Sequence, residues 1–268
     1  MIILILLSLA VGFISSFFGV GGGVLMVPGL YLVFPELPHQ TVISTSIGVI
    51  FFNGLLNTYN FYLKGKVPHL KMVSLLSFGM VIGGQIGSRL TYLFDQHTAK
   101  KLFAVILLLV ITRTLLSKTK QKSASKEHPE IEVQTIKTFI TGLGAGLIAG
   151  ISGLGGGVVI VPALLIIYGL PFSWLSVYSN PAMAAGALSA LTAFALSRPE
   201  EKVFTGLDPA FDHFQWGYLN FALMGIIVLV SFLSSKLGTQ LTDKVSPQTA
   251  KYSFVTLLTI IMIRMFLS

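Results

Sequence analysis

Sixty consecutive residues, 138–197, carry no charged side chain. A soluble domain holds roughly 25% charged residues, so a run of this length has no means of building a surface that faces water. A helical crossing of a bilayer takes about 20 apolar residues, and the run is long enough for two. Residues 1–35 are likewise free of charge. The ten carboxylates (Glu36, Asp95, Glu127, Glu130, Glu132, Glu200, Glu201, Asp208, Asp212 and Asp243) all lie outside the long apolar runs. Hydrophobic residues make up 53% of the 268 and charged ones 10%, with a mean hydropathy of +0.82. Backbone polar groups in hydrocarbon have to be satisfied within the segment, which favours helices. The chain therefore reads as an all-α, multi-pass integral membrane protein, expected in the cell inner membrane.

The net charge of +8 sits in short connections. That is the pattern of loops held at a cytoplasmic face, so no nucleic-acid partner is expected. With no cysteine in the chain, disulfides, thiolate metal sites and thiol chemistry are excluded. The N-terminus lacks the basic segment of a signal peptide, and its apolar run continues past a cleavage-site length.

Turn signals divide the chain into about eight spans: 3–33, 39–62, 72–94, 99–117, 138–168, 174–197, 216–240 and 249–267. Segment 118–137 is rich in Lys, Ser and Glu and reads as a polar linker between a first unit, 1–117, and a second, 138–268. Counting Lys and Arg by loop favours both termini on the cytoplasmic side; a re-entrant turn in span 1 or 5 would change that parity.

The two units are copies. Residues 12–28, GFISSFFGVGGGVLMVP, align with 146–162, GLIAGISGLGGGVVIVP, at an offset of 134 with nine identities in seventeen positions. Thr98, Ala99, Lys100, Phe103, Arg113, Leu116 and Ser117 recur at Thr249, Ala250, Lys251, Phe254, Arg264, Leu267 and Ser268, an offset of 151. The expected architecture is two tandem four-helix repeats. With four spans each, the copies would enter the membrane in the same sense, related by an axis near its normal.

Gly19, Gly21, Gly22 and Gly23 interrupt span 1, and Gly153, Gly155, Gly156 and Gly157 interrupt span 5. Each glycine costs a helix roughly 1 kcal/mol relative to alanine. A Gly-broken first helix in each repeat also frees backbone groups that hydrocarbon does not satisfy, so each break has to line a polar cavity or be buried in protein. A half-helix restarting at Val24 or Val158 would aim its positive end into that cavity, a geometry that suits an anion. Close helix packing is the plainer use of such glycines. It suits Gly142, Gly146 and Gly150, and Gly83 and Gly87, each spaced by four.

The doubled pattern G-x-G-G-G-x-x-x-V-P, at the start of each unit, resembles the TauE/SafE family of sulfite-exporter-type membrane proteins over nearly the whole chain. That resemblance implies transport of small sulfur-containing anions such as sulfite, thiosulfate or sulfonated organic acids.

No Asp or Glu falls within a span, which argues against a cation or metal permease and against a carboxylate proton relay. The candidate substrate ligands are Gly21, Gly22, Gly23, Gly155, Gly156 and Gly157, with Ser16, Ser152, Asn53, Asn57, Asn180, Gln85 and Lys236. Gln85 and Lys236 occupy equivalent positions, 151 apart, and Asn180-Pro181 is expected to break span 6. Buried Asn and Ser also serve as interhelical hydrogen-bond partners. Lys236, Arg89, Arg113 and Arg264 could equally snorkel to an interface, and Trp174 and Trp216 suit interfacial anchors. The five histidines lie in or beside loops, which fits neither a metal cluster nor a catalytic dyad. An intramembrane hydrolase would need Ser-His or paired acids within the spans, so no enzymatic activity, metal or cofactor is expected. The expected partners are the lipid bilayer and a small anionic substrate. A homo-oligomer, another small solute, a metal cation and, as the least favoured alternative, an intramembrane enzyme stay open.

Overall fold

The structure, a computed structural model, describes residues 2–93, 96–116, 131–197, 214–242 and 244–267. Most of the polar linker, the segment 198–213 and the side chains of Arg113 and Arg264 lie outside the described residues. So do the carboxylates other than Glu36 and Glu132, and His128 and His213.

Ten α-helices are present among the described residues. The first five are α1 (Ile2–Phe18), α2 (Gly23–Val33), α3 (His39–Leu63), α4 (Leu70–Leu90) and α5 (Gln96–Leu116). The next five are α6 (Thr135–Ser152), α7 (Gly157–Ile167), α8 (Phe172–Leu196), α9 (Phe221–Leu241) and α10 (Pro247–Leu267). A short hairpin, β1 (Gln215–Trp216) with β2 (Leu219–Asn220), leads into α9, where Asn220 caps the helix by accepting from the Leu223 N–H at 2.8 Å. The lengths recur in order: 11 residues in α2 and α7, 25 in α3 and α8, 21 in α4, α5, α9 and α10. Four stretches are long and apolar enough to cross a bilayer: α3, Leu70–Leu93, α6 and α9. The outside is apolar, with Leu116 78%, Leu196 83% and Leu229 73% exposed, while Asn53, Asn57 and Asn180 are wholly buried.

The glycine-broken runs do not pass straight through the fold. A side chain on Gly22 would strike Val11 and one on Gly29 would strike Leu7, so α2 doubles back along α1. Across the two units, α4 of the first runs beside α6 of the second in the same direction, Gly79 meeting Phe139 and Gly87 meeting Leu147. It also runs in the same direction as α8, with Gly186 beside Met80 and Gln85 Nε2 donating to the Ser189 carbonyl at 2.8 Å. Since α6 and α8 point the same way, α7 between them runs back. Each break is thus the tip of a hairpin.

This changes the expected symmetry. With one segment folded back, a unit contains an odd number of full-length helices after its hairpin, and its copy starts from the opposite face. The end of α3 lies at the start of α8, where Lys66 Nζ donates to the Ser173 carbonyl at 3.1 Å, so the two 25-residue helices are antiparallel. The units run in opposite senses, not in the same sense. Both chain ends lie at one face, here the terminal face. The turns at 64–69, 168–171 and 242–246 lie at the other, the linker face, where Lys64 Nζ reaches the Thr239 carbonyl at 2.6 Å.

Glycine holds the units together. Gly79, Gly83 and Gly87 of α4 face Gly142, Gly146 and Gly150 of α6, and a side chain at any of the six would meet partner backbone. Lipid tails are as apolar as leucine, so close van der Waals contact of this kind drives association in a membrane. Gly12 and Gly238 play the same part between α1 and α9, where Ser234 Oγ donates to the Leu9 carbonyl at 2.7 Å.

Two expectations are corrected. Helix α8 continues through Pro181, with Asn180 Nδ2 donating to the Ser176 carbonyl at 2.7 Å in the turn that the proline disturbs. Trp174 is buried, 3% exposed, beneath the Lys66 ammonium 5.6 Å from its ring centre, while Trp216 is 67% exposed. A ring at the start of α8 meets the α3–α4 turn before it can reach lipid.

Candidate functional site

The two glycine turns meet at the centre of the molecule. Gly19, Gly21 and Gly22 hold φ of 71°, 79° and 77°, and Gly153, Gly155 and Gly156 hold 72°, 84° and 73°. This left-handed backbone costs an L-residue roughly 1–2 kcal/mol. Gly22 and Gly156 are the N-caps of α2 and α7, and neither helix start has a side-chain cap. A side chain on Gly23 would collide with the Gly153 carbonyl, and one on Gly157 with Val20 and the Gly19 carbonyl. The absence of Cβ atoms is what lets the tips touch.

Each tip is tied by a serine from the other unit. Ser179 Oγ of α8 donates to the Gly19 carbonyl, and Ser46 Oγ of α3 donates to the Gly153 carbonyl, both at 2.7 Å. Ser46 and Ser179 stand at equivalent positions, each eight residues past the proline (Pro38, Pro171) that caps its helix. A helix-ending carbonyl in an apolar interior needs a donor, and each unit supplies one to the other.

The surrounding polar side chains break this symmetry. Asn57 Nδ2 donates to Ser15 Oγ at 3.1 Å and to Asn180 Oδ1 at 3.4 Å. Asn57 Oδ1 is buried with no hydrogen-bond partner, and so is Ser176 Oγ, next to Gly19. Asn53 Oδ1 accepts from Ser231 Oγ at 2.8 Å, leaving Asn53 Nδ2 without a partner; Asn60 Nδ2 has none either. A buried unsatisfied polar atom costs about 1–3 kcal/mol, and several in one neighbourhood mark a place where water or a ligand would be stabilising. The equivalents of Asn53, Asn57 and Ser15 in the other unit are Gly186, Ala190 and Ala149. The polar cluster exists on one side only, between the tips and the linker face.

Of the sequence candidates, the structure brings together Gly21, Gly22, Gly23, Gly155, Gly156, Gly157, Asn57 and Asn180, with Asn53 one turn along α3. Ser152 donates to the Ile148 carbonyl at 2.6 Å and accepts from the Leu154 N–H at 3.3 Å, closing the second tip. Ser16 donates to the Gly12 and Phe13 carbonyls and packs against Gly238. Gln85 ties α4 to α8, its Nε2 also 2.7 Å from Thr192 Oγ1. Lys236 is exposed on α9, 5.4 Å from its own helix's Phe232 ring. Ser16, Gln85 and Lys236 do not join the central cluster. Ser176 and Ser15 do, and no periodicity singled out Ser176; the matched pair Ser46 and Ser179 was visible at equivalent offsets. Among the described residues no group of three His, Cys, Asp or Glu could hold a metal ion.

Hydroxyls, carboxamides and uncapped helix starts converge here without a full charge. Donors of this kind are chemically able to solvate a small anion in place of water.

Residues 4–265 match the family model described as Sulfite exporter TauE/SafE. The chain is 34% identical over 247 residues to a "Probable membrane transporter protein" of Haemophilus influenzae, covering 91% of this chain and 88% of that one. It is 29% identical over 194 residues to "Probable membrane transporter protein YunE" of Bacillus subtilis, covering 63% and 69%. It is 24% identical over 254 residues to "Probable membrane transporter protein MJ0441" of Methanocaldococcus jannaschii, covering 92% and 88%. No solved structure gives a significant match.

Proposed function

This chain belongs to the sulfite exporter TauE/SafE family of membrane transporters, and from that membership we propose that it carries small sulfur-containing anions such as sulfite, thiosulfate or sulfonated organic acids. The observation that carries the proposal is the pair of mutually clamped glycine tips beside the unpartnered Asn57 Oδ1 and Ser176 Oγ. The anion sits among Asn57, Asn180, Ser15 and Ser176, facing the uncapped start of α2. Turning the Asn57 carboxamide by 180° presents its NH2 in place of its oxygen, and serine hydroxyls serve as donor or acceptor.

The membrane arrangement supports the reading. At about 1.5 Å per residue, the 11 residues of α2 and of α7 span about 16 Å, half of a hydrocarbon core about 30 Å thick. Each hairpin enters from one face on a long arm, α1 or α6 of 17 or 18 residues and about 26 Å, and turns back toward that face on its short arm. The eight expected spans become six crossings (α3, α4, α5, α8, α9, α10) and two re-entrant hairpins. The two repeats are inverted, and sites of transporters lie at such repeat interfaces.

Orientation follows from the positive-inside rule. Among the described residues, Lys64, Lys66, Lys71, Lys137, Lys244 and Lys251 stand at the linker face. Arg89, Lys100 and Lys101 stand at the terminal face. The linker face is therefore cytoplasmic and both chain ends are external, in a cell inner membrane. The straight-through reading of spans 1 and 5 put the ends inside.

The test is thermal stability of the detergent-purified protein against sulfite, thiosulfate, sulfate, sulfoacetate, taurine, acetate and chloride, followed by flux of the stabilising anion into proteoliposomes. A ligand at 100 times its Kd stabilises the folded state by about 2.7 kcal/mol. Asn57→Ala should abolish both the shift and the flux while the protein stays monodisperse. If no sulfur anion stabilises the protein or crosses the membrane, the substrate is of another class.

A further inference from the structure

Between the glycine tips, on the pseudo-symmetry axis, sits an apolar pair. Ile50 of α3 and Met183 of α8 are equivalent residues, each twelve past the capping proline, and both are fully buried. A methyl built on Gly21 would stand 3.1 Å from Ile50 Cγ2 and 3.2 Å from Met183 Sδ. Methyls built on Gly23 and on Gly155 would each stand 2.8 Å from Ile50 Cδ1. Ile50 thus fills the space both tips leave by lacking side chains.

Along α3 the buried polar atoms without partners fall on both sides of this point. Asn53 Nδ2, Asn57 Oδ1 and Asn60 Nδ2 lie toward the linker face, and Thr41 Oγ1 and Thr45 Oγ1 toward the terminal face. The segment between them, Ser46–Phe52 in chain order, has its one polar side chain, Ser46, engaged by the Gly153 carbonyl. From the linker face to the terminal face, α3 therefore carries buried carboxamides, then an apolar stretch, then buried hydroxyls.

We propose that Ile50 and Met183 form the gate of the transport path, an apolar barrier that separates the Asn57 site from the terminal face. This inference rests on the reading of the Asn57 cluster as a substrate site. Such a constriction excludes ions by refusing to hold water, with no charge required. Ile50 and Met183 come from different units, so displacement of one unit against the other parts them and opens the way. Ile50 and Met183 both border Gly21, and Ile50 also fills the space beside Gly23 and Gly155, only because these glycines add no bulk there.

The experiment measures chloride and sulfate leak from proteoliposomes under an imposed potential, a readout that needs no knowledge of the transported substrate. Ile50→Ala/Met183→Ala should raise the leak at least about tenfold over wild type, the factor given by lowering a barrier by about 1.4 kcal/mol. Met183→Ser alone, at a flexible and tolerant residue, should raise it in the same direction should the double variant fold poorly. Leu164→Ala, buried in α7 away from the axis, should leave the leak at the wild-type level. A wild-type leak in folded gate variants overturns the gate, as does an equal leak from Leu164→Ala. Failure of the sulfur-anion reading shows separately, as a wild-type protein that moves no sulfur anion and an Asn57→Ala change without effect.

Discussion

At the scale of single residues, the glycines divide into those that hold a turn and those that merely occupy a helix. Gly22 is at φ 77°, and a Cβ there would lie 2.7 Å from Val11 Cγ1. Gly144, inside α6, has open space where its Cβ would be. Gly22→Ala combines left-handed strain with overpacking and should destabilise by roughly 2–4 kcal/mol. Gly144→Ala removes helix-interior glycine and should stabilise by up to about 1 kcal/mol. Thermal unfolding in one detergent compares them; equal melting temperatures would contradict the assigned backbone roles. The glycine breaks were legible because three clustered glycines in an apolar run have few other uses. The partners of the individual polar residues were not. Gln85 and Lys236 looked like a matched pair by offset, yet Gln85 bonds to α8 and Lys236 faces outward, because position along a helix does not specify which neighbour covers it.

At the scale of elements, the decisive feature is the direction taken after each break. An apolar run of about thirty residues has the same hydropathy whether it crosses once or turns back at its middle. What turns it back is contact: Gly29 leaves room for Leu7, and α7 lies along α6. The seam between α4 and α6 was more readable, since glycines spaced by four fall on one face of a helix. Gly146 packs against Met80 and the Gly84 N–H group's nitrogen. Gly146→Leu should force the two backbones apart, lower the melting temperature by 10 °C or so, consistent with overpacking of about 3 kcal/mol, and broaden the size-exclusion peak. Retention of a sharp peak and wild-type melting would mean that the seam is not where the units are joined.

At the scale of the whole molecule, folding back the two hairpins inverts one unit relative to the other and moves the linker to the face opposite the chain ends. Reporter fusions check the consequence. A fluorescent protein that matures only in the cytoplasm, fused after Ser268, should stay dark, and a phosphatase active only outside should be active there. The same reporters inserted at 122 should give the reverse. A bright C-terminal fusion would restore the orientation expected from uninterrupted spans.

The order of residues alone determined the class of solvent, the duplication and the position of the breaks, because hydropathy, self-similarity and glycine's conformational range are properties of the chain read in one dimension. Tertiary structure decided that the breaks are hairpin tips, that the copies are inverted, that Ser46 and Ser179 exchange across the centre, and that Ile50 and Met183 both border Gly21. Those outcomes depend on which surfaces fit against each other across separations from about ten residues to more than a hundred, and close packing of backbone against backbone is a property of the pair, not of either segment.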